Sequence, residues 1–353
     1  MQASTKNAIL LLAQSTTSTA GIHPALGDIF FDGETATASD GVAITTMPCA
    51  DFPFAGALNG RELAGWLNTL TDAQIEALTA SSTDSAVKLQ SGGARLLLPK
   101  GELDVCPAEV PDDSVGPLSM KFETTRGAQA RLASALKTIV TTGVDNTFGW
   151  AAGITFLAER AGLRLMATNN VTLASTFVPA EVPEMLVGTT ALVNAAAVKI
   201  LHRAAVYAPA AELYLDSDGL KLVGLAGAYD VRSACVMGKA DPLEFLARIR
   251  TYPVDQSVEI PADLAATLSR HQLANSDATR LECGADGNLI VRTATERGEI
   301  ADRLQGVAAP ECSFTAGASL MYRACSHATR MTLTDDAAAF FAGDDVTLVA
   351  ARG

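Results

Sequence analysis

Hydrophobic and polar positions alternate most regularly over Leu163–Pro179 (LRLMATNNVTLASTFVP). Leu163, Leu165 and Ala167 interleave with Arg164 and Met166, and Val171, Leu173 and Ser175 carry the period of two past Asn169-Asn170. Such a period, broken by a short polar corner, predicts two strands joined by a turn. The layout recurs. Gly33–Pro48 (GETATASDGVAITTMP) has an opening glycine, an alternating run, the corner Ala38-Ser39-Asp40-Gly41, a second run and a closing proline. Ala167-Thr168-Asn169-Asn170 takes the place of that corner, and Gly162 that of Gly33. A weaker copy, NLIVRTATERGEI, follows Gly287, so the opening glycines stand 129 and 125 residues apart. One supersecondary unit used three times is the expectation.

Six segments have helix-like patterning without interior proline: Lys6–Gln14, Gly60–Leu70, Arg126–Thr138, Thr189–Ala205, Pro261–Leu273 and Ala316–Met331. Asn59, Thr124-Thr125, Thr189 and Pro261 supply start signals. The starts lie 54, 66, 63, 72 and 55 residues apart, and short strands with turn signals follow each helix, as at Ser91-Gly92-Gly93, Ser217-Asp218-Gly219 and Gly343-Asp344-Asp345. The chain thus reads as six helix-plus-strands units, with a period longer than the roughly 20–50 residues of solenoid repeats. The connectors Pro107–Pro117 and Tyr252–Pro261 group them in pairs, as three α+β domains over residues 1–117, 118–256 and 257–353.

With 48% hydrophobic and 18% charged residues in 353, the composition is that of a packed globular protein. The densest early apolar run, Ile9–Ala13, is far shorter than the roughly 20 residues of a membrane span and has no leader-type flank, so a soluble, cytoplasmic chain is expected. Cysteines 49, 106, 235, 283, 312 and 325 form no C-x-x-C and have no histidines at zinc spacing, which predicts free thiols in a reducing compartment. No metal or cofactor is expected: Asp112-Asp113, Asp335-Asp336 and Asp344-Asp345 are turn carboxylates without a third ligand nearby. No P-loop, GxSxG or H-E-x-x-H pattern occurs, and His23 has no identifiable partner, so no catalytic set is expected.

A net charge of −13, taken in bulk, disfavours phosphate. Its distribution changes the picture. The six helical segments hold Lys6, Arg61, Arg126, Arg131, Lys137, Lys199, Arg203, Arg270, Arg323 and Arg330 against only Glu62 and Asp263, a surplus of eight that leaves −21 for everything else. His202, His271 and His327 lie there too. Lys199, His202 and Arg203 fall at i, i+3, i+4, and Arg323, His327 and Arg330 at i, i+4, i+7, each trio on one helix face. Val193, Ala197, Ile200 and Ala204 form the opposite, apolar stripe. An acid-free basic face on three helices of an acidic chain is expected to face duplex DNA, through phosphate contacts that carry no sequence information.

The layout resembles the bacterial DNA polymerase III β subunit, the sliding clamp, over nearly the whole chain. Leu163–Leu173 (LRLMATNNVTL) is similar to the family's L-R-x-V-A-T-D-G-H-R-L, with Asn169, Asn170, Val171 and Thr172 in place of D, G, H and R. Val346–Gly353 resembles the terminal V-x-M-P-M-R-L, with Val349, Ala350 and Ala351 at M-P-M. Phe245–Pro253 (FLARIRTYP) stands at F-P-D-Y-R-R-V-x-P, and Arg95-Leu96-Leu97-Leu98 with Asp104-Val105-Cys106-Pro107 at R-F-S-L and D-F-P. The resemblance implies a non-catalytic processivity factor at the nucleoid of a bacterial or phage-infected cell. It also implies a head-to-tail homodimeric ring, with helices lining the inside and sheets outside. Polymerase and clamp-loader peptides would dock in a pocket of Ala151, Thr168, Asn170, Val171, Thr172, Leu173, Leu246, Thr347, Val349, Ala350 and Ala351, and Leu96, Leu98, Leu268 and Leu273 would form the dimer contact. A clamp-like protein that binds DNA or peptides without encircling, and a hydrolase or transferase on an α+β scaffold, are the competing expectations.

Overall fold

The computed structural model describes residues 3–16, 24–41, 43–102, 118–121, 126–142, 153–207, 212–215, 222–226, 230–234, 242–252, 254, 257–274, 278–296, 298–307 and 310–351. Six modules, each a helix or helix pair followed by a three-stranded meander, follow one another. The first is α1 (Ala3–Gln14) with β1 (Asp28–Asp32), β2 (Thr35–Ser39) and β3 (Ala43–Pro48). After β4 (Ala55–Asn59), the second has α2 (Gly60–Asn68) and α3 (Asp72–Glu76) leading into β5 (Thr79–Ser82), β6 (Ala86–Ser91) and β7 (Ala94–Pro99). After β8 (Leu118–Lys121), the third is α4 (Arg126–Thr142) with β9 (Ile154–Glu159), β10 (Gly162–Thr168) and β11 (Thr172–Pro179). After β12 (Thr190–Val193), the fourth is α5 (Ala195–Tyr207) with β13 (Glu212–Leu215), β14 (Leu222–Ala226) and β15 (Asp230–Ala234). Then α6 (Pro242–Arg250) and β16 (Val258–Glu259) precede the fifth, α7 (Leu264–Gln272) with β17 (Thr279–Cys283), β18 (Asn288–Thr295) and β19 (Gly298–Gln305). After β20 (Cys312–Ala316), the sixth is α8 (Ala318–Cys325) with β21 (Arg330–Leu333), β22 (Ala337–Ala342) and β23 (Asp345–Ala350).

Two of the predicted helices are corrected. The segment from Thr189 opens as strand β12, and the helix starts after Asn194, whose Oδ1 accepts the Ala196 N–H at 2.8 Å. The segment from Ala316 holds a shorter helix, because alternation resumes at 330–333, where Met331 and Leu333 are buried and Arg330 and Thr332 less so. Two helices were not expected. α3 is only five residues long, too short for a period, but it is held by a capping box in which Thr71 Oγ1 accepts from Gln74 N and the Gln74 side chain accepts from Thr71 N. α6 buries Phe245 completely. The expected domain borders at residues 117 and 256 lie outside the described residues.

The meanders pair by one rule. One antiparallel sheet runs β4-β1-β2-β3-β15-β14-β13-β8 and the other β12-β9-β10-β11-β23-β22-β21-β16. Each is two meanders joined through their last strands, Ala43 opposite Ser233 in one and Leu173 opposite Leu348 in the other. Asp345 secures the second junction: its Oδ1 accepts from Thr176 Oγ1 at 2.7 Å and Phe177 N at 2.8 Å, just beyond the last ladder pair. The two remaining meanders stay as separate half-sheets, β5-β6-β7 and β19-β18-β17-β20. The chain folds into two compact units, Met1–Lys137 with Leu157–Leu163 and Val178–Met237, and Thr138–Phe156 with Arg164–Phe177 and Gly238–Gly353. Phe31, Phe52 and Phe54 cluster in the core of the first, with ring centroids 5.1–6.0 Å apart: Phe31 stacks on Phe52, and Phe54 meets Phe52 edge-on. Leu268, Leu281, Phe314, Met321 and Phe340 centre the second.

The repeat expected from sequence is visible at its corner. Gly41 has φ +85° and Asn170 φ +67°, and in both the residue two before supplies a hydroxyl that accepts the amide, Ser39 at 3.1 Å and Thr168 at 3.2 Å. Asn170 is the one non-glycine at positive φ among the described residues, and asparagine tolerates that region better than other L residues. Replacing Asn170 by Ala is expected to cost about 1 kcal/mol in urea unfolding, while Asn170→Gly keeps or slightly raises stability. Equal losses from both substitutions would show that the side chain, not the backbone conformation, governs the corner.

Candidate nucleic-acid interface and peptide pocket

Burial and bonding partners sort the expected basic residues into two groups. On α5, Ala197, Val198, Ile200, Leu201 and Ala204 are buried, which turns Lys199 and Arg203 outward with His202 half-buried between them. On α4, Leu132, Leu136 and Ile139 are buried, while Arg131 and Lys137 are exposed. Burial first, then the Lys137 and Arg203 charges, hold His202 below its ordinary imidazole value, so α4 and α5 bring their cations to one place. Arg61 on α2, Arg323 on α8 and His327 just beyond α8 are also exposed. Arg126 opens α4, and its side chain lies outside the described ones.

The remainder serve other contacts. Lys6 Nζ donates to the Leu70 carbonyl at 3.3 Å, beyond the end of α2, so its charge meets a helix C-terminus. Arg270 pairs with Asp302 at 3.1 Å. His271 is wholly buried, with Nδ1 2.7 Å from Thr293 Oγ1 and Nε2 3.1 Å from Asp302 Oδ2, which removes it from any DNA-facing surface. Arg330 belongs to β21 rather than a helix and donates to the Ser257 carbonyl at 2.6 Å. Arg323, His327 and Arg330 therefore do not share a helix face, because α8 ends at Cys325. The Thr293-His271-Asp302 line has the order of a hydrolase triad, but zero exposure of His271 and Thr293 leaves no room for a substrate.

A cavity of about 320 Å³ in the second compact unit is lined by Thr168, Asn170, Val171, Thr172, Leu173, Arg248, Thr251, Tyr252, Asp336, Ala337, Leu348 and Ala350. The β10–β11 corner builds one wall. Asn169 Oδ1 accepts from Val171 N at 3.1 Å and Thr172 N at 2.7 Å, its Nδ2 donates to the Thr142 carbonyl at 2.8 Å, and Thr168 Oγ1 donates to the Thr172 carbonyl at 2.9 Å. This lock presents Val171, 46% exposed, to solvent. α6 contributes Arg248, whose Nε donates to Glu244 Oε1 at 2.9 Å, and the residues just after it.

Six of the eleven expected pocket residues line this cavity: Thr168, Asn170, Val171, Thr172, Leu173 and Ala350. Val349 points the other way, fully buried in the core, and Ala351 packs against that core. Strand alternation dictates this, since Leu348 and Ala350 share a face that Val349 cannot. Thr347 lines a smaller neighbouring cavity with Thr138, Thr142, Arg323 and others. Leu246 is on α6 but not in the lining, and Ala151 lies outside the described residues. The contributions of Arg248, Thr251 and Tyr252 were not read from sequence, although they fall within the FLARIRTYP match.

The expected dimer leucines divide similarly. Leu98 and Leu268 are 1% and 0% exposed, so neither can meet a partner, and Leu96 is half-buried. Leu97 and Leu273, at 69% and 85%, are the exposed apolar side chains of β7 and of the residue capping α7. The run Leu96-Leu97-Leu98 has no polar interruption, so its inward parity is invisible in sequence.

Because the folded state keeps His202 below its unfolded value of about 6.5, stability attributable to its neutral form is present above that pH and lost as pH falls through the folded value. In urea titrations from pH 7.5 to 5, wild type is expected to lose more stability than His202→Gln, and parallel losses would contradict the assignment.

No family model matches the chain, and no curated protein matches it. Solved structures do. The DNA polymerase III β subunit of Thermotoga maritima superposes with a TM-score of 0.81 at 14% identity, covering 99% of this chain and 97% of that one. The DNA polymerase III subunit β of Pseudomonas aeruginosa gives 0.75 at 15%, covering 100% and 98%. The Helicobacter pylori β clamp bound to a DNA ligase peptide gives 0.72 at 14%, covering 99% and 97%. Over its full length, this chain has the fold of the DNA polymerase III β subunits, the sliding clamps.

Proposed function

We propose that the chain is a DNA sliding clamp: two copies, joined head to tail, close a ring around duplex DNA and hold a polymerase on it without catalysing a reaction. The observation that carries this reading is the pair of half-sheets. Each complete sheet joins two meanders through their last strands, and among the described residues two meanders remain whose last strands, β7 and β19, pair on one side only, the chain just past β7 making a single bridge from Gly101 to Ala57 of β4. The same rule applied between copies sets β7 of one chain beside β19 of the next. Two copies then satisfy both edges, with Leu97 and Leu273 as the apolar groups offered to the junction. Three domains bounded near residues 117 and 256 give each copy half of the ring.

Arg131, Lys137, Lys199, His202 and Arg203 form the DNA-facing surface of the first unit, to which Arg61 also belongs, and Arg323 is the exposed cation of α8 in the second. Each neutralised phosphate would contribute about −0.9 to the slope of log affinity against log salt. A phosphate beside His202 opposes the Lys137 and Arg203 charges that lower its pKa. The cavity at Thr168–Leu173 receives peptide segments of polymerase and clamp loader. Support for a peptide ligand comes from the Helicobacter pylori β clamp, which has the same fold and is bound to a DNA ligase peptide. A cytoplasmic, nucleoid-associated protein follows from that role.

The reading predicts a native mass of twice 36.6 kDa at micromolar concentration, measured by light scattering. Leu97→Glu combined with Leu273→Glu should yield one-chain particles that remain folded by circular dichroism. A persistent mass of one chain in wild type favours a non-encircling protein instead. After loading, the protein should stay on nicked circular DNA and leave once the circle is linearised, and equal retention on both forms overturns the ring. Reversing Arg131, Lys199 and Arg203 to Glu should abolish retention without changing the native mass.

A further inference from the structure

Cys283 ends β17 and Cys312 begins β20, and the two are direct cross-strand partners. Direct partners in an antiparallel ladder have Cα atoms about 4.5 or 5.5 Å apart according to register class, and both separations fall within the roughly 4.4–6.8 Å spanned by disulfides. Both thiols are free. Cys283 is 5% exposed and packs in the core with Leu281, Leu289 and Phe314, whereas Cys312 is half-buried and reachable from solvent. Their sulfurs are in hydrogen-bond contact. The Cys283 thiol and, secondarily, its backbone N–H hold Cys312 below the ordinary thiol value, against burial and the Asp335 charge. The same contact, reinforced by burial, pushes Cys283 up. Of the two, the sulfur reachable from solvent therefore ionises more readily than its buried partner. Cys49 and Cys325 differ: both are buried, and burial first of all pushes each thiol up to about 12.

We propose that Cys283 and Cys312 are a redox-modification site, a dithiol that a hydroperoxide converts into a reversible intrachain disulfide. The Cys312 thiolate attacks one peroxide oxygen, the O–O bond breaks, and the displaced oxygen leaves with a proton as water or alcohol. Cys312 is then a sulfenic acid. The Cys283 sulfur attacks that sulfur, the S–S bond forms as S–O breaks, and the Cys283 proton leaves with the hydroxyl as water. Two thiols are oxidised by two electrons and one peroxide is reduced. The bridge ties β17 to β20 and closes a loop that contains the β18–β19 hairpin, whose outer strand β19 pairs with β18 alone among the described residues. The inference concerns this half-sheet alone and stands whether or not the chain encircles DNA.

The test uses the full chain, reduced, desalted and treated with hydrogen peroxide, then digested and mapped by mass under non-reducing conditions. The expected result is one linked peptide pair containing Cys283 and Cys312, two hydrogens lighter than the sum of its reduced parts. A loop of about 30 residues predicts a rise in Tm of roughly 5–10 °C, reversed by dithiothreitol. Cys312→Ser should remove both the link and the rise. In Cys283→Ser, Cys312 should stop at the sulfenic acid and be trapped by dimedone. Oxidation of Cys312 to sulfinic acid without a link overturns the proposal, as does linkage to Cys106 or Cys235 or a bridge between two chains. The wild-type map decides the question even where the buried Cys283→Ser fails to fold.

Discussion

Backbone hydrogen bonding at strand edges is the constraint on which this structure turns. A three-stranded meander exposes a row of unpaired N–H and C=O groups on each rim, and such rows are either paired, covered or left to recruit another strand. The chain satisfies four of its six meanders by joining last strands, β3 to β15 and β11 to β23. Single strands between modules finish the outer rims, as β4 does beside β1 and β16 beside β21. Because the residues paired between β15 and β3 lie 184 to 190 positions apart, from Asp230 with Thr46 to Ser233 with Ala43, this pairing is long-range. Asp345 reinforces one such joint through two donors at its end, where the ladder itself stops.

The same packing decides where charge is found. A helix on a sheet must turn its apolar stripe inward, so whatever occupies the opposite face is displayed to solvent. α5 carries alanine and branched aliphatics on the first and Lys199 and Arg203 on the second, with His202 at the border. Across the helices found, eleven Lys and Arg stand against four acids, although the chain as a whole carries −13. The acids are therefore concentrated in strands and turns. Several are paired there: Asp286 with Arg303, Glu282 with Arg280 and Arg292, and Glu299 with Arg292. Exposed pairs of this kind add little stability. They do offset acids on the sheets, while the cations of α4 and α5 remain concentrated.

The cavity shows how one local device is reused for different ends. At Gly41 and Asn170 the chain turns through the left-handed region with the same bond from backbone amide to hydroxyl oxygen. At the second corner, Asn169 is additionally tied to the end of α4 through the Thr142 carbonyl. That tie fixes Thr168 and Val171–Leu173 as a wall, and α6 with the last two strands completes it. Arg164 on β10 meanwhile stacks its guanidinium 5.2 Å from the Phe177 ring on β11.

Local order carried much of this architecture in readable form. The recurring corner, the six modules, the inward stripe of α5 and the outward Arg131, Lys137, Lys199 and Arg203 follow from periods of two and 3.6, which adjacent residues set by themselves. Where the period is silent, only tertiary structure decided. Leu96-Leu97-Leu98 has no alternation, so the partner β6 chose which leucine is buried. His271 is read as outward on its own helix, but Thr293 and Asp302, brought from strands 22 and 31 residues away, claim both ring nitrogens. Cys283 and Cys312 became neighbours, and Val349 turned to the core, through strand register. Register is fixed by long-range pairing, whose energy depends on which distant edge is free, and no short stretch of sequence contains that information.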